Sequence, residues 1–330
     1  MVLGLLGIMT LLPFGCVQPS IPDGDASAVS DQRTRNRYQF ARVLMGSRCV
    51  ITLEAPSEPE AAQAAARAFD EIARIEAVLS DYNPRSEAMR VMRASPGQGH
   101  PISDTLLDVL LLSRDIHIGS DGAFDPTLGA ITHLWRETAG RGVIPSPEER
   151  ADALERVGFR HLQLDAGAGT LRFDRAGMVL DFGGIGKGYA AREGVEMLCD
   201  LGYPNAFIDL GGDLQLGDPP SDRPEGWRVE IATGIAGPRT MYLHNTGVAT
   251  SGDLERFYEH KGVRYSHIID PRSGKGITHR RAAMVIVADA AVADALASAV
   301  SVLGEDGIAQ LQVAYPGAEM MLVERGLGDD

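Results

Sequence analysis

The types and spacing of the residues first suggest chemistry in a glycine-rich stretch with one lysine. This stretch runs from Leu180 to Arg192 and reads LDFGGIGKGYAAR. Glycines let a backbone approach a ligand closely, and the first N–H groups of a helix bind anions. The stretch is not a P-loop, because Asp181 stands where the first glycine is required and Gly188 where Ser or Thr is required. It is not a dinucleotide fingerprint either, since its last glycine has the wrong spacing. It therefore predicts an anion site of another kind, at a strand end, a turn and a helix start, with Lys187 supplying positive charge.

Asp294 and Ser298 form a second pattern, in the segment ADAAVADALASAV. Their separation of four places both side chains on one face of a helix. The surrounding residues are small and apolar, so this face should be buried, and a buried carboxylate needs a partner or a cation. Carboxylate and hydroxyl oxygens suit Mg²⁺. The alternative is structural: the carboxylate faces the dipole at the start of the helix, and Ser298 is merely small.

The segment SHIIDPRSG predicts a strand that leads into an Asp-Pro turn, with His267 and Asp270 on either side of two isoleucines. Asp270 is expected to be structural, because Asp before Pro is common turn chemistry. His267 is a candidate functional residue because histidine titrates near neutral pH, yet a core or surface histidine fits the pattern as well. The pattern alone leaves its role open.

These residues need elements to position them, and the elements alternate along the chain without a repeat. The sequence around Gly46 predicts a hairpin, and three serines precede helical patterns as N-caps, namely Ser57, Ser103 and Ser146. Hairpins mixed with long helices predict an α+β protein with mixed or antiparallel sheets and packed helices. No low-complexity boundary interrupts residues 38–330, so we expect one catalytic domain there, with two lobes at most.

The composition is that of a globular protein, with 330 residues of which 44% are hydrophobic and 23% charged. The net charge of -14 argues against a nucleic-acid partner, whose binding depends on neutralising phosphates. It also means that an anionic ligand requires a lysine or a metal cation at its site. Cys49 and Cys199 match no metal spacing and are expected to be buried thiols, with a disulfide left open.

The first fifteen residues are apolar and uncharged, and Cys16 follows directly after a small residue. This predicts an exported protein whose residues 1–16 are a lipoprotein signal ending at Cys16, with an ordinary signal peptide as the alternative. Residues 17–37 are polar and without period, which predicts a flexible tether. We therefore expect the protein on the periplasmic side of the inner membrane, anchored by a lipid on Cys16.

Seven stretches in their order along the chain resemble the ApbE family, the FAD:protein FMN transferases. They are MGS, LSDYNPRSE, DGAFDPTLGAITHLW, LDFGGIGKGYAAR, NAFIDLGGDL, VATSGDLERFYEHKGVRYSHIIDPRSG and ADALASAVSVLG, and they span about Met45 to Gly304. The resemblance implies an α+β fold with the flavin in a cleft between lobes. It also implies a Mg²⁺-dependent enzyme that cleaves FAD, attaches FMN to a Thr or Ser hydroxyl of a partner protein by a phosphoester bond, and releases AMP.

The resemblance also implies roles for individual residues. The expected FAD-contacting residues are Met45, Tyr82, Ala123, Phe124, Asp125, Asp181, Lys187, His267 and Ile268. The expected Mg²⁺ ligands are the Gly184 backbone oxygen, Asp294 and Ser298, where Ser298 replaces the more usual threonine but keeps the oxygen. His267 is the expected catalytic base that takes the proton of the acceptor hydroxyl.

The expected acceptors are flavoprotein subunits of membrane redox complexes, of the sodium-translocating NADH:quinone reductase or Rnf type.

Two alternative functions would use the same site. One is a Mg²⁺-dependent FAD pyrophosphatase that uses water as the acceptor and yields FMN and AMP. The other is a non-catalytic, tethered FAD-binding lipoprotein, which would have no need of Asp294 and Ser298.

Overall fold

The computed structural model of the chain describes residues 35–232, 238–252 and 257–324. The helices are α1 (Glu58–Leu79), α2 (Glu87–Met92), α3 (Asp104–Gly119), α4 (Gly129–Gly140), α5 (Pro147–Leu154), α6 (Gly186–Asp200), α7 (Ala290–Leu303) and α8 (Glu305–Ala314). The strands are β1 (Asn36–Leu44), β2 (Ser47–Ala55), β3 (Gly99–Pro101), β4 (Leu162–Asp165), β5 (Thr170–Phe173), β6 (Ala206–Leu210), β7 (Asp213–Leu216), β8 (Trp227–Ala232), β9 (Pro238–Leu243), β10 (Thr246–Gly252), β11 (Phe257–His260), β12 (Val263–Ser266), β13 (Ile269–Asp270), β14 (Lys275–Gly276), β15 (Arg281–Val287) and β16 (Glu319–Glu324).

A seven-stranded sheet in the order β1-β2-β6-β7-β10-β15-β16 forms the centre of the molecule, and each neighbouring pair is antiparallel. A three-stranded sheet, β3-β5-β4, and three two-stranded ribbons complete the strands of the described residues. The predicted hairpin around Gly46 is the β1–β2 pair, whose register runs from Asn36 opposite Ala55 to Leu44 opposite Ser47. The α+β prediction is confirmed.

Helices α1, α6 and α7 pack on one face of this sheet and on each other. The α1 residues that face the core recur at helical spacing and are all buried, namely Ala65, Phe69, Ile72, Ile75 and Leu79. The side chain of Ser57 accepts a hydrogen bond from the Glu60 backbone N–H, as expected of the N-cap. Helix α7 is buried almost all round, because its residues are nearly all alanine, valine or leucine.

The opposite face of the sheet is covered by the β8–β9 ribbon. Alternation along β15 shows the two sides: Ala283 and Val285 belong to the core under the helices, while Met284 and Ile286 pack with Trp227 of β8. Successive strand residues point to opposite faces, so one continuous apolar strand serves two cores. This burial on both faces fixes β7, β10 and β15 as a rigid base under the starts of α6 and α7.

Three local expectations differ from the structure. Leu180 and Asp181 do not end a strand; the segment makes only one isolated parallel bridge, Val179 to Leu128. His267 lies in a bend between β12 and β13, where the Ser266 hydroxyl accepts a hydrogen bond from the Ile268 N–H and interrupts the strand. The remaining difference is at the N-terminal side, where β1 begins at Asn36 and so takes in the last two residues of the predicted tether.

The predicted lipoprotein signal, including Cys16, and the tether up to residue 34 lie outside the described residues. Within the described ranges, no helix is long and apolar enough to cross a bilayer.

Cys49 is a buried, free thiol on β2, and burial together with the nearby Asp209 raises its pKa to about 12. Cys49 is therefore an inert thiol, as predicted, and it forms no disulfide with Cys199. Cys199 is half-buried on α6, so the expectation that it is buried was wrong.

Candidate active site

The starts of α6 and α7 lie against each other, and a glycine makes the contact possible. A side-chain carbon at Gly188 would lie 2.1 Å from the Ala290 carbonyl oxygen and 2.9 Å from the Asp294 Cβ. The Gly188 backbone N–H donates a hydrogen bond of 3.1 Å to Asp294 Oδ2. The glycine-rich stretch and the Asp294 face, two separate sequence patterns, are therefore brought together in one place.

Lys187 sits beside two carboxylates at this junction. Its ammonium donates a short hydrogen bond to Asp213 Oδ2 of β7 and lies 3.6 Å from Asp294 Oδ2. Burial opposes the charge on Lys187, but the Asp294 and Asp213 carboxylates more than compensate, and the pKa of Lys187 is raised. The pKa of Asp213 is also raised, first by burial and then by the Asp294 carboxylate. One positive and two negative groups leave the junction short of positive charge.

Gly184 and Ser298 are also neighbours. A side-chain carbon at Gly184 would lie 2.8 Å from the Ser298 hydroxyl oxygen, so the glycine turn seats closely on the α7 face one turn after Asp294. The three predicted metal ligands, Gly184, Asp294 and Ser298, therefore share one small region. Their backbone, carboxylate and hydroxyl oxygens are hard donors that suit Mg²⁺. With the negative excess beside Lys187, the residues present fit a divalent cation, although the described residues contain no group of three His, Cys, Asp or Glu side chains placed to hold a metal ion.

Met45 and Phe124, both predicted to contact FAD, line the same glycine turn. Met45 has a φ of 50° and Gly46 one of 69°, which is the left-handed pair of a tight hairpin turn. This turn projects Met45, whose Cε would lie 3.4 Å from a side-chain carbon at Gly186. Phe124 is buried, as is Ala123 beside it, and a ring carbon of Phe124 would lie 3.5 Å from such a carbon at Gly184.

Asp125 has its carboxylate engaged inside the protein. Its Oδ1 accepts hydrogen bonds from the Thr127 backbone N–H at 2.8 Å and the Thr127 hydroxyl at 2.6 Å, and its Oδ2 is 3.5 Å from the His117 ring. The Thr127 hydroxyl in turn accepts from the Gly158 N–H. The side chain of Asp125 therefore shapes the loop that carries Phe124.

Asp181 and Tyr82 meet through a residue that the sequence analysis did not single out, Arg136 of α4. The Asp181 Oδ1 accepts the Gly183 N–H at 2.8 Å and so shapes the glycine turn, while its Oδ2 accepts from the Thr132 hydroxyl and from Arg136. The guanidinium carbon of Arg136 lies 4.6 Å from the centre of the Tyr82 ring. Tyr82 is 74% exposed, so its ring is available at the surface beside the glycine turn.

His267 is exposed in its bend, and Ile268 is half-buried against the main core. Asp270 is structural, as expected: its oxygens accept hydrogen bonds from the Arg272 backbone N–H and the Ser273 hydroxyl, which closes the Asp-Pro turn.

A cavity of about 690 Å³ lies beyond this turn, lined by residues such as Trp135, Lys275 and Val302. None of the predicted site residues lines this cavity, although Val302 is one turn beyond Ser298 on α7.

Sequence reasoning missed Asp213 and Gln215. Both are buried on the same face of β7. Gln215 accepts the Ala290 N–H at 2.8 Å and donates to the Ala288 carbonyl at 3.1 Å, which fixes the start of α7. The available signal was polar residues at alternate positions of a short strand, between apolar ones.

Known proteins resemble this chain in both sequence and fold. A family model described as "ApbE family" matches residues 45–322. The chain belongs to the ApbE family. Among its relatives, a FAD:protein FMN transferase of Treponema pallidum is 31% identical, with 87% of this chain and 84% of the relative covered. One of Klebsiella pneumoniae is 28% identical, with coverage of 98% and 92%. The crystal structure of apo flavinyl transferase ApbE from Pseudomonas stutzeri superimposes with a TM-score of 0.78 at 28% identity, covering 88% of this chain and 92% of that one.

Proposed function

We propose that this ApbE-family protein is a FAD:protein FMN transferase that moves the FMN half of FAD to a Thr or Ser hydroxyl of a partner protein and releases AMP. The observation that carries the proposal is the α6–α7 junction, where the glycine turn, Lys187 and the Asp294–Ser298 face meet. A helix start with an adjacent lysine suits an anionic diphosphate. Relatives named as FAD:protein FMN transferases cover most of the chain.

Each part of the junction has a task in this reaction. Lys187 binds the diphosphate through N–H groups that Asp213 and Asp294 do not engage, since an ammonium has three donors. Gly184, Asp294 and Ser298 would hold Mg²⁺, which supplies charge stabilisation at the phosphoryl oxygens when bound. Met45, Ala123, Phe124 and Tyr82 provide apolar and aromatic surface for the flavin and adenine rings. Positioning and electrostatics are the main requirements of such phosphoryl transfer.

The acceptor hydroxyl would attack the FMN-side phosphorus as AMP leaves from the other side. We propose that His267, exposed in its bend beside the half-buried Ile268, takes the hydroxyl proton. His267→Ala should slow transfer by about 100-fold at neutral pH if a base is required. Transfer at the wild-type rate in this variant would remove His267 from the mechanism.

The N-terminal pattern supports a proposal for the location of the reaction. We propose that residues 1–16 are a lipoprotein signal, that Cys16 carries the lipid, and that the residues from 17 up to the start of β1 at Asn36 tether the domain on the periplasmic side of the inner membrane. The proposed acceptors are flavoprotein subunits of membrane redox complexes of the NADH:quinone reductase or Rnf type. A Cys16→Ser variant should move from the membrane fraction to the soluble periplasm.

The decisive experiment combines purified protein, FAD and Mg²⁺ with a candidate acceptor subunit. Transfer predicts that the acceptor gains the mass of FMN and fluoresces after denaturing electrophoresis, and that AMP appears in equal amount. AMP and free FMN formed without an acceptor would indicate a pyrophosphatase. FAD that stays intact in every mixture would indicate a carrier and would overturn the proposal.

A further inference from the structure

Arg136 connects three parts of the chain that flank the proposed FAD site. Its Nη1 donates to Asp81 Oδ2 in the loop after α1, and its Nη2 lies 3.3 Å from Asp181 Oδ2 before the glycine turn. Its guanidinium carbon is 4.6 Å from the Tyr82 ring centre. One side chain of α4 thereby touches both the aromatic and the carboxylate expected to contact FAD.

We propose that Arg136 is a positioning residue for FAD, which holds the Tyr82 ring as a stacking platform and fixes Asp181 at the glycine turn. This proposal rests on the proposed function, since FAD is the ligand concerned. Arg136 acts through Tyr82 and Asp181 and does not itself take part in the chemical step.

Tyr82 is exposed, and its contact with Arg136 restricts the ring. The ring is 74% exposed and sits in an irregular loop, where a side chain without support samples several rotamers. A guanidinium lying over one aromatic face is attracted to the ring and restricts it. Fixing the ring in advance lowers the entropy lost when a planar ligand stacks on it.

Arg136 is itself held in place from the other side. Its carboxylate partners Asp81 and Asp181 have side chains only 9% and 10% exposed, while the Arg136 side chain is 34% exposed. Burial opposes the charge on Arg136, but the Asp181 and Asp81 carboxylates raise its pKa, so it stays charged. The planar fork of arginine serves two acceptors and a ring at once, which the single ammonium of lysine does not reproduce.

The same face of α4 supplies two further groups. The Thr132 hydroxyl donates to Asp181 Oδ2 at 2.8 Å, and the His133 ring lies 3.2 Å from Asp81 Oδ2. Thr132 and Arg136 are four residues apart and therefore neighbours on the helix surface. Helix α4 is thus the support on which Asp81, Tyr82 and Asp181 are arranged.

The test measures FAD affinity by titrating flavin fluorescence in EDTA, so that FAD is not turned over, and separately measures kcat and KM of FMN transfer with Mg²⁺. Arg136→Ala should weaken FAD binding by about 10-fold, since both the contact with the ring and the hydrogen bonds are lost. Arg136→Lys should weaken it by about 3-fold, since the forked hydrogen bonds are lost. The kcat should change by less than about 2-fold, because uniform binding affects KM alone. Arg42→Ala is the matched control, since Arg42 lies 4.6 Å from the Phe69 ring centre and 3.5 Å from Asp70 but touches no predicted site residue, and it should bind FAD normally.

A double-mutant cycle separates positioning from general structural support. In a Tyr82→Leu background, Arg136→Ala should cost less than about 2-fold in FAD affinity, because its main route of action is already gone. Wild-type affinity in folded Arg136→Ala or Arg136→Lys, or an undiminished loss in the Tyr82→Leu background, would overturn the proposal. Failure of the wild-type protein to bind FAD or transfer FMN would instead overturn the proposed function.

Discussion

Two clusters in this protein each contain one basic side chain and two carboxylates, but the pKa of a carboxylate is raised in one cluster and lowered in the other. At the α6–α7 junction, Lys187 faces Asp213 and Asp294, and the pKa of Asp213 is raised. Beside α4, Arg136 faces Asp81 and Asp181. Although burial opposes the charge on Asp81, the hydrogen bonds from His133 and Arg136 lower its pKa. Each cluster places one permanent cation between two carboxylates.

The difference comes from burial and from the number of donors. Asp213 has a side chain only 2% exposed and shares a single ammonium with Asp294. Arg136 offers each carboxylate its own N–H group, and His133 and Thr132 add two more donors. A cluster with too few donors in a buried place keeps a negative excess, which suits a cation. A cluster with enough donors is satisfied and holds other groups in position.

Removing the cation from the junction should have the largest effect. Lys187→Ala leaves the buried carboxylates of Asp213 and Asp294 without their cationic partner and should lower the free energy of unfolding by about 3–5 kcal/mol, as measured by urea denaturation. Arg74→Ala is the control, because Arg74 is exposed and forms an ion pair with Glu71 within α1, and it should cost less than about 1 kcal/mol. Equal effects in the two variants would contradict the contrast drawn between buried and exposed pairs.

Filling the glycine contact tests how closely the junction is packed. Gly188→Ala places a carbon against the Ala290 carbonyl and should destabilise the protein by about 3 kcal/mol. Gly140→Ala at the end of α4 meets no atom within 4 Å and should leave stability unchanged or raise it by under about 1 kcal/mol. Similar melting temperatures for the two variants would show that α6 and α7 are farther apart than described.

The oxygen donors of α7 are tested by activity. Asp294→Asn should reduce FMN transfer by about 100-fold and Ser298→Ala by about 10-fold, because a charged and a neutral ligand of the proposed Mg²⁺ site are lost. Ser301→Ala on the same helix removes a hydroxyl that bonds to the Ala297 carbonyl, and its transfer rate should be normal. A Ser298→Ala enzyme with an unaltered Mg²⁺ requirement would place the cation elsewhere.

Acid titration tests the cluster of Arg136, Asp81 and Asp181, where we expect the smallest effect. The pKa of Asp81 is lower in the folded protein than in the unfolded chain. The stability it contributes is therefore present above the unfolded value of about 3.9 and is lost as the pH falls through the folded pKa. Asp81→Asn should lower the free energy of unfolding by about 1–2 kcal/mol at pH 7. Thermal melts from pH 7 to pH 3 should then show a shallower acid dependence than the wild type, and an unchanged slope would assign that stability to other groups.

Local patterns predicted much of the fold correctly. The N-caps at Ser57, Ser103 and Ser146 and the turn at Gly46 all stand where expected, because caps and tight turns depend on a few adjacent residues. The bend at His267 was missed, since it depends on the Ser266 hydroxyl bonding to the Ile268 N–H in preference to a neighbouring strand.

The candidate site was predicted in part. Gly184, Lys187, Asp294 and Ser298 were named from the sequence and lie together. Asp213 was missed because a carboxylate in the turn GGD resembles ordinary loop chemistry until β7 is seen to point it inward. The side chain of Asp125 is held by Thr127 inside the loop, an arrangement of short hydrogen bonds that the sequence pattern leaves open.

The sequence by itself determined the helices, the hairpins, the family and the residue types proposed to face a phosphate and a cation, because these depend on short-range spacing and on shared motifs. Only the tertiary structure decided which charges share a partner. Lys187 meets Asp213 and Asp294 across 26 and 107 positions, and Arg136 meets Asp81 and Asp181 across 55 and 45. Such pairings are set by how α4, α6, α7 and β7 pack, since packing brings distant residues within a few ångströms and removes the water that would otherwise separate their charges.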